Sequence, residues 1–296
     1  MNRVNTYLEA HDLQSRDIRD VIDEFCDEIS KMEGTCIDIG CGPGTITKEV
    51  FMPKLPKETL VVGSDISKKM LDHAKEEYKD EKRLSFSELD IQTKKIPSNL
   101  VGAFDNAVSF YCLHWCQDIR QVFGNIHQLL RPGGKSLVLF LASNTGFDTY
   151  LSLSENPLYK PYMQDVHKYI PYFQHSNNPR MTLKKIIEES GLQVLHCSCR
   201  EKTFIFNSLS TLEKHAQAVN PFTPRMPAEI RKKFETDQSN DMVRRKISFV
   251  SGDDESENNV KVLDRYHVLV AYFEKPSAPN QEKDSTSKQK KNGLIS

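Results

Sequence analysis

The sequence predicts an α/β fold built on a doubly wound, largely parallel sheet, and three observations carry that expectation. The run Cys36-Ile37-Asp38-Ile39-Gly40-Cys41-Gly42-Pro43-Gly44-Thr45 passes from apolar, strand-like residues into a glycine loop that opens a helix. An acidic residue, Asp65, ends the next apolar run, roughly 20 residues on, as a nucleoside-binding half of such a sheet requires. Strand and helix patterns then alternate as far as residue 142, which argues for parallel strands joined by right-handed crossovers.

The elements follow in order. Residues 15–32 carry Ile18, Val21, Ile22, Phe25, Cys26, Ile29 and Met32 at helical spacing, with Ser15 as the expected N-cap and Gly34 as the stop. Strands are expected at 35–39, 60–64, 84–89, 104–110 and 135–142, and helices at 45–51, 67–79 and 118–130. Arg131-Pro132-Gly133-Gly134 reads as a turn launching the last of these strands. Beyond residue 142 the alternation breaks. Residues 145–175 are rich in aromatics, 180–190 read as a helix and 192–206 as a strand. Residues 208–247 read as mostly helical, 251–259 as an acidic loop, and Tyr266 to Phe273 as a final strand. From Pro276 the chain turns polar and lysine-rich and is expected to be a disordered tail over 276–296, leaving 1–275 as the folded domain.

Bulk properties narrow the function. A chain of 296 residues with 38% hydrophobic content suits one large domain, and a net charge of −1 gives no electrostatic reason to expect nucleic acid. The longest apolar run, Leu137 to Ala142, is far shorter than a membrane span, and the N-terminus lacks a signal-peptide core, so a cytoplasmic protein is expected. Seven cysteines without a C-x-x-C pair read as reduced core thiols rather than as disulfides or a metal site.

The glycine loop differs from the dinucleotide fingerprint: it runs G-x-G-x-G, and Asp38 stands just before it. That pattern resembles class I S-adenosylmethionine-dependent methyltransferases, whose Rossmann-like sheet has seven strands. The two late segments, about 145–180 and 208–255, are then helical cap insertions over the cofactor edge. S-adenosylmethionine carries a sulfonium, an ammonium, a carboxylate and a ribose diol. Gly40, Cys41 and Gly42 would let the backbone approach it, Asp38 would meet the ammonium, and Asp65 would accept from the diol beside Ile66. Met70 and Ile91 would pack on the adenine, Asp90 would accept from its amine, and Ser109 would end the fourth strand under the methyl group. The bland alternative is a tight turn whose glycines serve only the chain reversal, with Asp90 as a turn residue.

The fourth strand continues into Tyr111-Cys112-Leu113-His114-Trp115. It has no Asp/Asn-Pro-Pro-Tyr/Phe signature of base amino-methylation, no Pro-Cys nucleophile, and no carboxylate for a catalytic metal between Ser109 and Trp115. His114 and the sole tryptophan, Trp115, remain; each is either a core residue or a ligand contact. Gln14 before the first helix, Asp38-Ile39-Gly40, Asp65-Ile66-Ser67, Leu89-Asp90-Ile91, Ser109 to Trp115, Phe140 to Asn144 and Pro221 to Pro227 together resemble the insect juvenile hormone acid O-methyltransferases up to about Lys275.

The resemblance implies methyl transfer to the carboxylate of a small lipophilic acid, juvenile hormone acid or farnesoic acid. Gln14 and Trp115 would hold that carboxylate, with His114 as a third candidate. The aromatics at 159–173 and Phe222 would wall the isoprenoid pocket. Another small-acid carboxyl methyltransferase, or a non-catalytic S-adenosylmethionine-binding module, are the readings that compete, and oligomeric state stays open.

Overall fold

The computed structural model describes residues 12–250 and 260–277. The acidic loop and the tail expected from the sequence lie outside those residues, apart from Pro276 and Ser277. Helix α1 (Asp12–Glu24) and the short α2 (Cys26–Ile29) replace the single helix expected over 15–32, with a break at Phe25. They bury Ile18, Val21, Ile22 and Ile29 of the stripe that the spacing implied, together with Leu13, whereas Cys26 is exposed. Ser15 is not a cap: it lies inside α1, its hydroxyl buried and without a partner among the described residues.

The alternating half comprises β1 (Thr35–Ile39), β2 (Leu60–Asp65), α3 (Lys68–Glu77), β3 (Leu84–Glu88), β4 (Phe104–Phe110), α4 (Ile119–Leu129) and β5 (Leu130–Asn144). Between β1 and β2, Thr47–Phe51 forms a π-helical turn in place of a regular helix. The remainder comprises α5 (Thr145–Ser154), α6 (Pro179–Glu189), β6 (Gln193–Phe206), α7 (Leu209–Val219), α8 (Ala228–Arg244), β7 (Ile247–Val250) and β8 (Val260–Glu274). The sheet order is β3-β2-β1-β4-β5-β8-β6, with β7 paired to β8. Strands β1 to β5 pair in parallel, with Ile37 opposite both Val62 and Ala107, whereas β8 runs antiparallel to β5 and β6.

Two details depart from the expectation. Residues 131–134 are not a free turn. Strand β5 already begins at Leu130, opposite Phe104, and the register slips before Lys135 meets Asn106, so these residues form a bulge. Gly133 supplies its positive φ of 81°, and its N–H donates to the Lys275 carbonyl at 2.7 Å. Strand β7 is an eighth strand, lying between the segment that reads as mostly helical and the acidic loop.

Alternation along the strands divides the core. Cys36, Val108, Phe110, Leu137 and Leu139 pack with α1 on one face, and Ile37, Ala107, Val138 and Phe140 pack with α4 and α6 on the other. A third cluster, including Phe147, Tyr150, Tyr159, Phe222 and Phe234, joins the two segments that follow β5 and β6. A buried polar knot ties it to the sheet: Lys246 pairs with Asp264 of β8, which also accepts from Asn144 Nδ2 at 3.0 Å. The side chains of Lys246 and Asp264 are 1% and 5% exposed, and burial pushes the lysine below its usual range while Asp264 opposes that shift. Among the described residues no helix is long and apolar enough to cross a membrane. All seven cysteines are free thiols.

Asp264→Ala removes the partner of a buried ammonium and should cost about 3–5 kcal/mol. Urea unfolding checks this, and Asp264→Asn, which keeps an acceptor, should lose less.

Candidate active site

Crossovers leave β1 and β4 toward opposite faces, so a crevice opens beyond their carboxyl ends, where an α/β sheet binds ligands. The glycine loop lines one side. Gly40 has φ 77°, and a Cβ there would stand 2.1 Å from Cys112 Sγ, so only glycine lets the loop lie against the chain leaving β4. Gly42 also has a positive φ, 56°, but a Cβ there would meet nothing within 4 Å: its α-carbon faces open space.

Around the loop, Asp38 is 2% exposed and accepts from the Thr47 hydroxyl, which the π-helical turn carries. Burial raises its carboxyl to about 7; the Thr47 hydrogen bond opposes this and the Asp65 charge adds to it. Asp65 accepts the Gly42 N–H on Oδ2 at 3.0 Å and the Ser67 N–H on Oδ1 at 2.7 Å, which leaves each oxygen one acceptor site. Ile66 beside it is 65% exposed, whereas Cys41, Met70 and Ile91 are buried. Asp90 is exposed, and its Oδ1 accepts the Gln92 N–H at 2.8 Å, the turn geometry. Ser109 is fully buried and its hydroxyl donates to the Ile39 carbonyl at 2.8 Å. That hydroxyl pins β4 to β1; it is committed to the sheet rather than turned to the crevice.

The second side is a cleft of about 750 Å3, counted to its open mouth, and it brings Gln14, His114 and Trp115 together. Its apolar wall comes from Leu13 of α1, Leu141 of β5, Phe147 and Tyr150 of α5, Val219 of α7 and Met242 of α8. Gln14 is 8% exposed and its Oε1 has no hydrogen-bond partner among the described residues. The imidazole of His114 lies 4.8 Å from the indole of Trp115 between ring centres, and Phe147 meets the indole edge-on at 5.9 Å. His114 is buried, its Nδ1 lacks a partner among the described residues, and burial depresses its pKa to about 3. It is a neutral imidazole at physiological pH.

The aromatics expected to wall this cleft do not. Tyr159, Phe173 and Phe222 are core residues at 0–2% exposure, and the cleft takes only Phe147 and Tyr150 from that group of segments. Sequence reasoning missed Tyr111, which lines the cleft with φ 55°, and Asp17, which is fully buried beneath it. The signal for Asp17 was available: it is a charged residue on the apolar stripe of α1.

Residues 37–136 match the family described as a methyltransferase domain. A juvenile hormone acid O-methyltransferase of Drosophila melanogaster is 34% identical over 279 residues, covering 93% of this chain and 93% of that protein. One of Bombyx mori is 31% identical over 279 residues, covering 93% and 98%. The chain belongs to the juvenile hormone acid O-methyltransferase family. The solved structure of the YcgJ protein from Bacillus subtilis has the same fold, with a TM-score of 0.56 at 14% identity over 90% of this chain and 100% of that one.

As a member of the family, the protein is an S-adenosylmethionine-dependent O-methyltransferase. The crevice suits that cofactor on three grounds: an open glycine face at Gly42, an exposed Ile66 for a nucleoside face, and a buried carboxyl at Asp38 for a cation. Among the described residues no group of three or more His, Cys, Asp or Glu is placed to hold a metal.

Gly40→Ala forces a Cβ into Cys112 at a positive φ and should destabilise the fold by about 1–3 kcal/mol, with cofactor binding lost in calorimetry. The Asp38 carboxyl supports a separate test. Folding raises it from 3.8 to about 7, so its contribution to stability is present at acid pH and is lost as pH rises through 7. A bound cation favours the ionised form. Cofactor binding should therefore release protons just below pH 7 and weaken by up to roughly tenfold per pH unit of further acidification. Calorimetry in two buffers of different ionisation enthalpy reads this, and Asp38→Asn should abolish the proton release.

Proposed function

We propose that this enzyme transfers the methyl group of S-adenosylmethionine to the carboxylate of a sesquiterpenoid acid, juvenile hormone acid or farnesoic acid, giving the methyl ester in juvenile hormone biosynthesis. The observation that carries the reading is the pair of unpartnered buried atoms, Gln14 Oε1 and His114 Nδ1, beside Trp115 in an otherwise largely apolar cleft. The names of the relatives point to the same substrate class. Catalysis belongs to a soluble cytoplasmic enzyme acting on a free small acid, with no nucleic acid involved.

A carboxylic acid with a pKa of about 4.3 is already an anion at neutral pH and needs no general base. The roles left to the protein are to hold and orient it. The indole N–H of Trp115 is a donor only, and a half-turn of the Gln14 amide presents its NH2 where Oε1 now stands. The neutral His114 offers one N–H without adding charge. When bound, S-adenosylmethionine would supply an electrophilic methyl group carried on a sulfonium. Asp38 is set to hold the ammonium, and Asp65 and Ile66 the ribose. Met70 and Ile91 are assigned to the adenine, with Asp90 at its amine.

A tricarboxylate substrate is disfavoured because no Lys or Arg lines the cleft. The test incubates purified enzyme with S-adenosylmethionine and each acid and reads methyl ester by mass spectrometry. Gln14→Ala and Trp115→Phe should each lower kcat about 10–100-fold with cofactor affinity kept, by analogy with loss of a positioned donor. Full activity in Trp115→Phe would remove the indole from the carboxylate clamp. At saturating cofactor, kcat should stay flat from about pH 6 to about 8, because neither the acid nor His114 titrates there. An inflection near 6.5 would contradict the neutral role of His114.

A further inference from the structure

We propose that Asp17 is a positioning residue that holds the Tyr111 turn, and with it His114 and Trp115, in register with Gln14. Only the kinetic arm of the argument rests on the carboxyl-methylation reading. Asp17 is 0% exposed. Its Oδ2 accepts the hydroxyls of both Tyr111 and Tyr266 at 2.6 Å, and its Oδ1 accepts from Arg16 Nη2 at 3.0 Å with Lys202 Nζ at 3.6 Å. Arg16 also donates to the Tyr266 hydroxyl at 3.0 Å, which closes the network between α1 and β8.

Tyr111 is the feature that gives this network a job. It is the one non-glycine residue with a positive φ among the described residues, at 55°, a conformation that a bulky aromatic keeps only when its surroundings impose it. Its N–H is fixed to the Leu139 carbonyl at 2.7 Å and its hydroxyl to Asp17, so both ends of the residue are held. The chain reverses there and enters the single turn Leu113–Trp115 that carries the two ring side chains of the cleft.

Gln14 and Asp17 are three residues apart on α1 and so share one face of the helix. One carboxylate therefore joins the helix that carries the amide to the turn that carries the imidazole and the indole. Removing one partner of a buried, fully hydrogen-bonded charge is costly, so this carboxylate ties the two segments to one arrangement.

A plain staple between α1 and the sheet would use the same contacts, and Tyr266 separates the two roles. It bonds the same oxygen as Tyr111 but sits on β8 and does not line the cleft. The experiment compares Asp17→Asn, Tyr111→Phe and Tyr266→Phe in the full-length protein. Trp115 is the only tryptophan, so its emission maximum and acrylamide quenching report the turn without any substrate.

Tyr111→Phe and Asp17→Asn should shift that emission and raise quenching. Both should lower kcat about 10–100-fold, the scale of a small misplacement, with the KM for S-adenosylmethionine within about threefold. The double variant should be no worse than either single one, because both cut the same link. Tyr266→Phe should lower Tm yet keep the Trp115 signal, with kcat within about threefold of wild type. A wild-type spectrum and kcat in Tyr111→Phe would overturn the proposal, as would Tyr266→Phe reproducing every effect of Tyr111→Phe. If Asp17→Asn fails to fold, the two tyrosine variants still decide. If the wild-type enzyme makes no ester from either acid, the substrate reading fails, while the Trp115 signal still tests the role of Asp17.

Discussion

The contact between Gly40 and Cys112 sets the spacing on which the rest of the site depends. Strands β1 and β4 are neighbours at the point where the sheet reverses its order, so the chain leaving each must pass the other at the same level. A Cβ at position 40 would run into the Cys112 side chain, 2.1 Å from its Sγ and 2.3 Å from its Cβ. Without it, the glycine loop and the turn that carries His114 and Trp115 lie against each other. The Ser109 hydroxyl on the Ile39 carbonyl locks the same strand ends one pleat back. Methyl transfer demands close alignment of the reacting groups, and a side chain packed on a glycine together with a hydrogen bond between adjacent strand ends holds the two segments at a fixed spacing. The site is therefore positioned by the sheet before any ligand arrives.

Electrostatics divides along the same line. On the loop side, burial has raised the Asp38 carboxyl to about 7, and a cation is what restores its ionised form at neutral pH. On the cleft side, the polar groups beside Trp115 are a neutral amide and a neutral imidazole in an apolar wall. The first compartment favours a cation, and in the second the one carboxylate of the lining, Asp264, is paired with the Lys246 ammonium. The proposed reaction joins a sulfonium to a carboxylate and neutralises both. A general base would be out of place in such an arrangement, and the depressed pKa of His114 accords with its having no proton to take.

Much of this was legible in the residues. Strands at 35–39 and 104–110 have the bounds that the apolar pattern implied, and the glycine loop announced both the crevice and its ligand class. Gln14, His114 and Trp115 were grouped by motif, and they share one cleft. Where reading failed, the cause is physical. Four residues, Ile247–Val250, are too few to show a period, so β7 left no signal between the helical stretch and the acidic loop. The run 131–134 has turn chemistry, but pairing of Leu130 with Phe104 absorbs it as a bulge. The aromatics of 159–173 could have faced the cleft or the cap's own core, and composition does not say which; burial against Phe222 and Phe234 decided it. The strain at Tyr111 left no trace, because no glycine or asparagine marks the position and the constraint comes from Asp17, distant in sequence.

The two halves of the site also differ in how the chain assembles them. Every residue proposed for the cofactor, from Asp38 to Ile91, falls within the stretch 37–136 that matches a general methyltransferase domain. The cleft draws His114 and Trp115 from that stretch but takes Gln14 from α1, Phe147 and Tyr150 from α5, Met242 from α8 and Asp264 from β8. Contacts made between such distant segments form only when the whole chain has folded, and the Lys246–Asp264 pair and the Asp17 carboxylate are the buried charges that hold them together. Most of the cleft thus lies on residues that a domain match does not reach. Likeness over 93% of the chain, rather than over the shared domain alone, is what makes the family informative about the cleft.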